Sequence, residues 1–167
     1  MSPQRSDFEE FVATYADTMK ALAHTIVGNP QIAEDVTQSA LLKMMRHWSD
    51  IDHPRAYARR VVISECTDRH RRSQRERPDG GASAERVDER AAQDLDNVLL
   101  HDTLWRQVQE LPVRQRAVLA LRYFEDLADE DIADILGVRA VTVRATASRA
   151  LAALRRSHDD MDKETVK

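Results

Sequence analysis

The amino-acid sequence predicts an all-α protein made of two small helical domains joined by a flexible linker. Only 4 of its 167 residues are glycine and 32% are charged, a composition that favours solvated helices over sheets. Apolar residues recur at steps of three and four along most of the chain, the period of a helix with one buried face. No alternating apolar run is long enough to predict a strand. We therefore expect a first domain at residues 1–76, a linker at 77–92 and a second domain at 93–167.

Three helices are predicted in the first domain. Apolar stripes cover residues 8–26 and residues 32–48, and the sequence Gly28-Asn29-Pro30 separates them. A third stripe begins at Pro54, a residue suited to the first turn of a helix, and continues into the arginine-rich sequence RHRRSQRER. Three such helices are enough to build a small packed domain.

A linker is predicted after the third helix. The sequence PDGGASAERVD, residues 78–88, combines glycine and proline with small and charged residues, which is typical of flexible connections. Beyond it, apolar spacing predicts one helix over residues 95–108 and another over residues 117–124, with a break at Leu111-Pro112. The second domain therefore begins with two helices.

The second domain ends in a predicted helix-turn-helix, residues 127–154. Ala133 is small where two helices would touch, Gly137 tolerates a positive φ at the turn, and Val143 anchors the second helix. The helix after the turn and its extension to residue 156 carry five arginines and no acid, whereas the helix before the turn carries four acids. We therefore expect the later helix to enter the major groove of DNA. A surface αα-hairpin with segregated charge is the alternative, but it gives no reason for glycine and β-branched residues at these spacings.

Charge is distributed unevenly along the chain. The net charge is −4, yet residues 54–77 hold eight arginines against three acids, and residues 78–102 hold seven acids against two arginines. Basic segments therefore flank an acidic one, so the acidic average does not argue against a nucleic-acid partner. The acidic segment is either a solvated spacer or an internal mask for the basic surfaces.

The sequence predicts neither catalysis nor a metal or cofactor. Cys66 is the only cysteine, which excludes an intrachain disulfide and a thiolate cluster. The 6 histidines are scattered, and neither a glycine-rich phosphate loop nor a nucleophile motif is present. No segment resembles a signal peptide or a membrane span. We therefore expect a cytoplasmic protein that is not an enzyme, binds no cofactor and does not insert into membranes.

Two groups of motifs carry a family resemblance. The first comprises AEDVTQ at residues 33–38, then Trp48, then PRAYARRVV at residues 54–62. The second comprises LPVRQRAVLALRYFEDLADEDIADILG at residues 111–137 and TVRATASRALAALR at residues 142–155. Together, and in this order, they resemble regions 2 and 4 of the extracytoplasmic-function (ECF) sigma factors of bacterial RNA polymerase. The resemblance covers nearly the whole chain and implies a protein that binds core polymerase and directs promoter-specific initiation.

The resemblance implies a polymerase-binding surface on the second helix. Polar residues there match the motif with which sigma factors bind the clamp coiled coil of the polymerase's largest subunit, and they lie opposite the apolar stripe. The alternative is an ordinary solvated helix face. The residues are Asp35, Gln38 and Arg46.

The third helix matches the part of the family that captures the melted non-template strand of the minus-ten element. Arginines suit this role because they neutralise phosphates. Ser64 stands where relatives commonly have asparagine, and Arg69 where many have an aromatic residue, so the base preference stays open. The implied residues are Tyr57, Arg59, Arg60, Ser64, Arg69, Arg71 and Arg72.

The last helix matches the part of the family that reads the minus-thirty-five element. Arg144 and Arg149 lie about 140° apart around a helix, so one could reach a base edge and the other a phosphate. The implied residues are Arg139, Thr142, Arg144, Ser148 and Arg149. Capping residues frequent in relatives are replaced by Ala128 and Arg139, each at a cost of about 1 kcal/mol of local helix stability. A looser second domain is expected.

Partners follow from the same resemblance: core RNA polymerase, promoter DNA and a restraining anti-sigma factor, with the free protein a monomer. A stand-alone helix-turn-helix regulator with a sensory or dimerisation domain explains the second half equally well. It does not explain the basic third helix of the first half. An enzyme, such as a small nuclease or a metal-dependent hydrolase, finds no supporting motif.

Overall fold

The computed structural model of the chain describes residues 3–76 and 95–165. Every regular element in these two ranges is a helix, which confirms the predicted all-α class. The described residues form two compact units, one within residues 1–82 and the other within residues 83–167. The predicted linker at 77–92 lies outside the described residues. Within the described ranges, each helix is too short or too polar to cross a membrane.

Three helices, each packed against the other two, form the first unit. They are α1 (Pro3–Val27), α2 (Pro30–Arg46) and α3 (Pro54–Arg75). Helix α2 ends before Trp48, where the apolar pattern predicts that it continues, and Trp48 begins a short 3-10 turn. Its ring packs against Phe8 and Phe11, with ring centroids 5.1 and 5.3 Å away. Trp48 therefore contacts α1 from outside the helix predicted to carry it.

The core of the first unit follows the predicted apolar stripes. Its fully buried large side chains come from all three helices: Met19, Leu22, Ile26, Val36, Met44, Val62 and Cys66. Met45, an apolar residue within the predicted stripe at residues 32–48, is instead 53% exposed. The physical reason is that neighbouring helical positions point about 100° apart, and Met44 already faces the core. The polar Thr37, in contrast, is buried, and its hydroxyl donates a hydrogen bond to the Ala33 carbonyl at 2.8 Å.

Four helices form the described part of the second unit. They are α4 (Leu95–Glu110), α5 (Val113–Leu119), α6 (Asp129–Leu136) and α7 (Ala140–Thr165). The predicted break at Leu111-Pro112 separates α4 from α5, and α5 continues into a single π-helical turn, Ala120–Phe124. Phe124, predicted to extend the apolar stripe, is 56% exposed. The wider π turn changes the angular position of the residues in it, so a stripe read with the α-helical period fails there.

The core of the second unit lies where α7 packs against α5 and α6. Leu111 and Leu119 contact Ala150 of α7, and Leu151 and Leu154 cover this cluster. The completely or nearly completely buried side chains are Val118, Leu121, Ile132, Val143, Ala147 and Ala150. Small alanines on the buried face of α7 allow its neighbours to approach closely. The opposite face of α7 is exposed.

Candidate nucleic-acid and polymerase interfaces

The turn between α6 and α7 has the geometry of a helix-turn-helix. Gly137 ends α6 in the left-handed region, at φ 65°, and the carbonyl of Ala133 accepts its N–H. A Cβ at this position would meet nothing within 4 Å, so the backbone conformation alone accounts for glycine. Ala133 and Val143 are buried on either side of the turn. The three residues therefore occupy the roles that the sequence predicts for them.

Helix α7 presents two chemically different faces. Its first half buries Val143, Ala147 and Ala150 against α5 and α6. All five residues predicted to read the minus-thirty-five element are exposed: Arg139, just before α7, and Thr142, Arg144, Ser148 and Arg149 within it. They are therefore accessible, as side chains of a helix that enters a DNA groove must be.

The guanidinium of Arg144 is held by acids from α6. Its Nη1 atom lies 3.6 Å from Oε1 of Glu130 and 3.9 Å from Oδ2 of Asp129. The same Asp129 oxygen accepts a hydrogen bond from Nη2 of Arg122 at 2.9 Å. Sequence reasoning treats these acids only as a negatively charged helix and misses the pairing. Arg144 is 15 residues from Asp129 and 14 residues from Glu130 along the chain, so no helical spacing rule connects them.

Helix α3 displays most, but not all, of its predicted strand-binding residues. Four of the seven are exposed, and they are Arg60, Ser64, Arg71 and Arg72. Tyr57 is half-buried. The guanidinium of Arg59 instead lies 5.8 Å from the ring centroid of Tyr15, and that of Arg55 lies 5.4 Å from it. A cation–π contact of this kind restrains a guanidinium. Tyr15 of α1 therefore positions arginines of α3, a role that sequence reasoning missed.

Helix α2 exposes the predicted polymerase-binding residues. Asp35, Gln38 and Arg46 all lie on the surface, and the Gln38 side-chain amide donates to Oε1 of Glu34 at 3.4 Å. Leu42 and Met45 follow Gln38 along α2 at helical steps of four and three, and both are exposed. Their exposure could not be predicted from the sequence, because leucine and methionine in an amphipathic helix are normally buried in the core.

The predicted polymerase and strand-binding surfaces meet between α2 and α3. A carboxylate oxygen of Asp35 lies 3.8 Å from Nη1 of Arg69. Next to this pair, Glu65 of α3 accepts a hydrogen bond from the Ser39 hydroxyl at 3.2 Å and pairs with the Lys43 ammonium. Partial burial raises the pKa of Glu65, but the Lys43 and Ser39 hydrogen bonds outweigh burial, so its pKa lies below the ordinary 4.5. Glu65 thus stays ionised and ties α2 to α3.

Candidate metal ligands are not clustered in the part of the chain that the structure describes. No group of three or more histidine, cysteine or acidic side chains there is placed to hold an ion. The lone Cys66 is buried in the core of the first unit. The three surfaces present charged, hydrogen-bonding and apolar groups.

Both units match models of known protein families. Residues 11–76 match Sigma-70 region 2, and residues 101–154 match Sigma-70, region 4. The RNA polymerase sigma-E factor of Streptomyces avermitilis is 36% identical over 160 residues, which cover 93% of this chain and 87% of that protein. The ECF RNA polymerase sigma factor SigW of Bacillus subtilis is 24% identical over 92% of this chain and 90% of its own. The chain belongs to the ECF group of the sigma-70 family.

The fold of this sigma factor agrees with a solved relative. The sigma factor RpoE of Bartonella quintana, solved in complex with the anti-sigma factor NepR, superposes with a TM-score of 0.72 at 20% identity, covering 92% of this chain and 97% of that one. As an ECF sigma factor, the protein binds core RNA polymerase and directs promoter-specific transcription initiation. The alternative of a stand-alone regulator finds no support, because region 2 accounts for the first unit.

Proposed function

We propose that this sigma factor engages core polymerase through the exposed face of α2. Asp35 and Gln38 supply polar contacts to the clamp coiled coil, Arg46 supplies a cationic one, and the exposed Leu42 and Met45 provide the apolar area between them. Support comes from the placement of all five on the outer side of a helix whose other side is buried. Few residues carry most of the energy of such an interface, and methionine and arginine are enriched at protein–protein interfaces.

The second part of the proposal assigns the DNA contacts. Exposed arginines of α3 neutralise phosphates of the melted minus-ten strand, and Arg59, restrained on the Tyr15 ring, adds a fixed charge. The exposed face of α7 reads the minus-thirty-five element. The observation that carries this assignment is the division of α7 into an apolar buried face and a cationic exposed one.

The remaining parts of the proposal concern setting and control. The protein acts in the cytoplasm together with polymerase and catalyses no reaction of its own. An anti-sigma factor restrains it, as NepR is bound to the relative from Bartonella quintana. Co-purification of the protein with a regulator from unstressed cells, and its release when transcription by this sigma factor begins, tests this restraint.

Run-off transcription tests the assigned function directly. Core polymerase is combined with the protein on a collection of genomic fragments, and transcripts that depend on the protein define its promoters. Arg144→Ala is then expected to lose about 1 to 3 kcal/mol of discrimination between the preferred minus-thirty-five element and its single-base variants. A loss that is equal for every sequence would instead assign Arg144 to a phosphate. Arg155→Ala, which removes an exposed arginine further along α7, is the matched control.

A further inference from the structure

The Asp129 carboxylate lies between two arginines at the start of α6. Its Oδ2 atom accepts a hydrogen bond from Arg122 at 2.9 Å and lies 3.9 Å from Nη1 of Arg144. The Asp129 side chain is only 12% exposed, whereas that of Arg144 is 55% exposed. The other oxygen, Oδ1, is buried and has no hydrogen-bond partner among the described residues. The carboxylate is thus fixed from one side and faces the recognition helix on the other.

Local structure explains why Asp129 is held firmly. It occupies the first turn of α6, where the positive end of the helix dipole favours a carboxylate. Arg122 comes from the π-helical turn before α6 and fixes the carboxylate from that element. A half-buried guanidinium and a nearly buried carboxylate form a less mobile pair than two exposed side chains do. Asp129 therefore provides a rigid point against which a longer side chain can rest.

Arg144 is the side chain that needs such a support. A free arginine samples many rotamers, and ordering it at a base edge costs conformational entropy. The bidentate contact of arginine with guanine O6 and N7 also requires a defined orientation of the guanidinium plane. Glu130 contributes a second contact at 3.6 Å, but it is 72% exposed and is not anchored by another residue in the same way. Asp129 is thus the better placed of the two acids to orient Arg144.

We propose that Asp129 is a positioning residue that orients Arg144 toward the base edges of the minus-thirty-five element, an inference that rests on the proposed role of Arg144 as a base reader. The carboxylate has a second effect, because a negative charge next to the recognition helix repels the phosphates of any DNA sequence. Asp129 therefore lowers affinity for DNA in general while it raises discrimination between sequences. These two effects have opposite signs, and a residue that only stabilises the fold would not produce both.

Asp129→Asn separates the two effects, since it removes the charge and keeps the shape. The template is a promoter identified by run-off transcription, with its minus-thirty-five element randomised, transcribed by core polymerase reconstituted with the parent or the variant. Sequencing the transcribed templates measures discrimination, which is expected to fall about threefold to tenfold, a part of the range for a bidentate contact. Binding of the reconstituted polymerase to a duplex with a scrambled element is expected to rise at low salt.

Two comparisons make the result specific. Asp131→Asn removes the same charge from an exposed position in the same helical turn, and it is expected to leave discrimination unchanged. In an Arg144→Ala background, Asp129→Asn is expected to cause no further loss of discrimination, because its effect acts through Arg144. An additive loss in the double variant would overturn the inference.

The outcomes distinguish the positioning role of Asp129 from the proposed base-reading role of Arg144. If Arg144→Ala lowers discrimination but Asp129→Asn does not, the positioning role is wrong and the base-reading role stands. If Arg144→Ala itself leaves discrimination unchanged, the proposed function of Arg144 is wrong. Should Asp129→Asn lower the melting temperature, Asp129→Ser supplies the same comparison, because serine also removes the charge and is smaller than aspartate. Parental discrimination in either folded variant overturns the inference.

Discussion

At the scale of single residues, charged side chains that the sequence motifs assign to polymerase or DNA already form ion pairs within the protein. Asp35 lies 3.8 Å from Arg69, and Arg144 lies 3.6 Å from Glu130. Both pairs are exposed, so each contributes little to stability and is weakened further by salt. A partner can therefore replace these internal contacts at small cost. The same residues serve the free protein as surface ion pairs and the bound protein as proposed binding groups.

Asp35→Lys is expected to weaken binding to core polymerase while the fold remains intact. The change removes an exposed carboxylate from α2 and places a lysine near Arg69, which should cost less than about 1 kcal/mol of unfolding free energy. Affinity for core polymerase and the far-UV circular dichroism melting curve are measured on the same sample. Asp17→Lys, a charge reversal at an exposed position of α1, is the control. Equal affinities of Asp35→Lys and the parent would remove Asp35 from the polymerase surface.

At the scale of elements, polar contacts between α2 and α3 add to the apolar packing that fixes the rotation of one helix against the other. Glu65 of α3 receives hydrogen bonds from Ser39 and Lys43 of α2. Together with Asp35 and Arg69 they line one side of the α2–α3 contact. The packing of apolar residues brings these helices together, and the charged residues favour one relative rotation. The proposed polymerase and DNA surfaces depend on that rotation.

Glu65→Gln tests this contact through its pH dependence. A carboxylate whose pKa is lowered by folding contributes stability above its ordinary pKa of 4.5, and this contribution disappears as the pH falls through the folded pKa. The variant is therefore expected to be less stable at pH 7 by about 1 kcal/mol. The difference should shrink below pH 4.5. Melting temperatures across this range check the prediction, with the exposed Glu10→Gln as the control. A difference independent of pH would exclude the ionised Glu65 as its cause.

Helix α6 begins without a side-chain cap, as expected from Ala128 at a position where relatives often have a capping serine. Its N-cap residue is Ala128, in an extended conformation and with no side-chain hydrogen bond. Ala128→Ser is expected to stabilise the second unit by about 1 kcal/mol, because the hydroxyl can accept one of the free N–H groups of the first turn. Thermal unfolding of the whole chain measures the gain. Ala13→Ser, exposed within α1, should give no gain, and a similar shift in both variants would argue against capping.

At the scale of the whole molecule, two basic surfaces belong to different units of one acidic chain. The net charge is −4, although α3 and the first part of α7 are rich in arginine. The acidic segment at residues 78–102 lies between them in the sequence and holds seven acids against two arginines. A tether keeps such acids at a high effective concentration near either basic surface. The sequence therefore predicts that the segment either competes with DNA or serves only as a solvated spacer.

Neutralising the acids of this segment distinguishes the two roles. The variant changes aspartate to asparagine and glutamate to glutamine at Glu85, Asp88, Glu89, Asp94 and Asp96. If the segment masks the basic surfaces, promoter binding by the free protein rises at low salt, and the gain fades as salt increases. Filter binding or anisotropy across a salt series measures this. Unchanged binding at low salt would make the segment a spacer.

Net charge needs its own control in that experiment. A second variant therefore neutralises five exposed acids of the first unit, which changes the net charge by the same amount. They are Asp7, Glu10, Asp17, Asp50 and Asp52. A gain in DNA binding that is equal in both variants would show a general charge effect and no masking by the segment.

Local patterns in the sequence by themselves determined the helical class, the helix-turn-helix and the family. Helical period, Gly137 at the turn and the run of arginines after it depend on neighbours within a few residues, so they can be read without a fold. Tertiary structure alone decided which charged side chains form ion pairs and which apolar residues lie on the surface. Asp129 reaches Arg144 across 15 residues and Asp35 reaches Arg69 across 34. Met45 and Phe124 are exposed although their residue types favour burial. The physical reason is that packing fixes the rotation of each helix about its own axis, and spacing along one helix carries no information about that rotation relative to another.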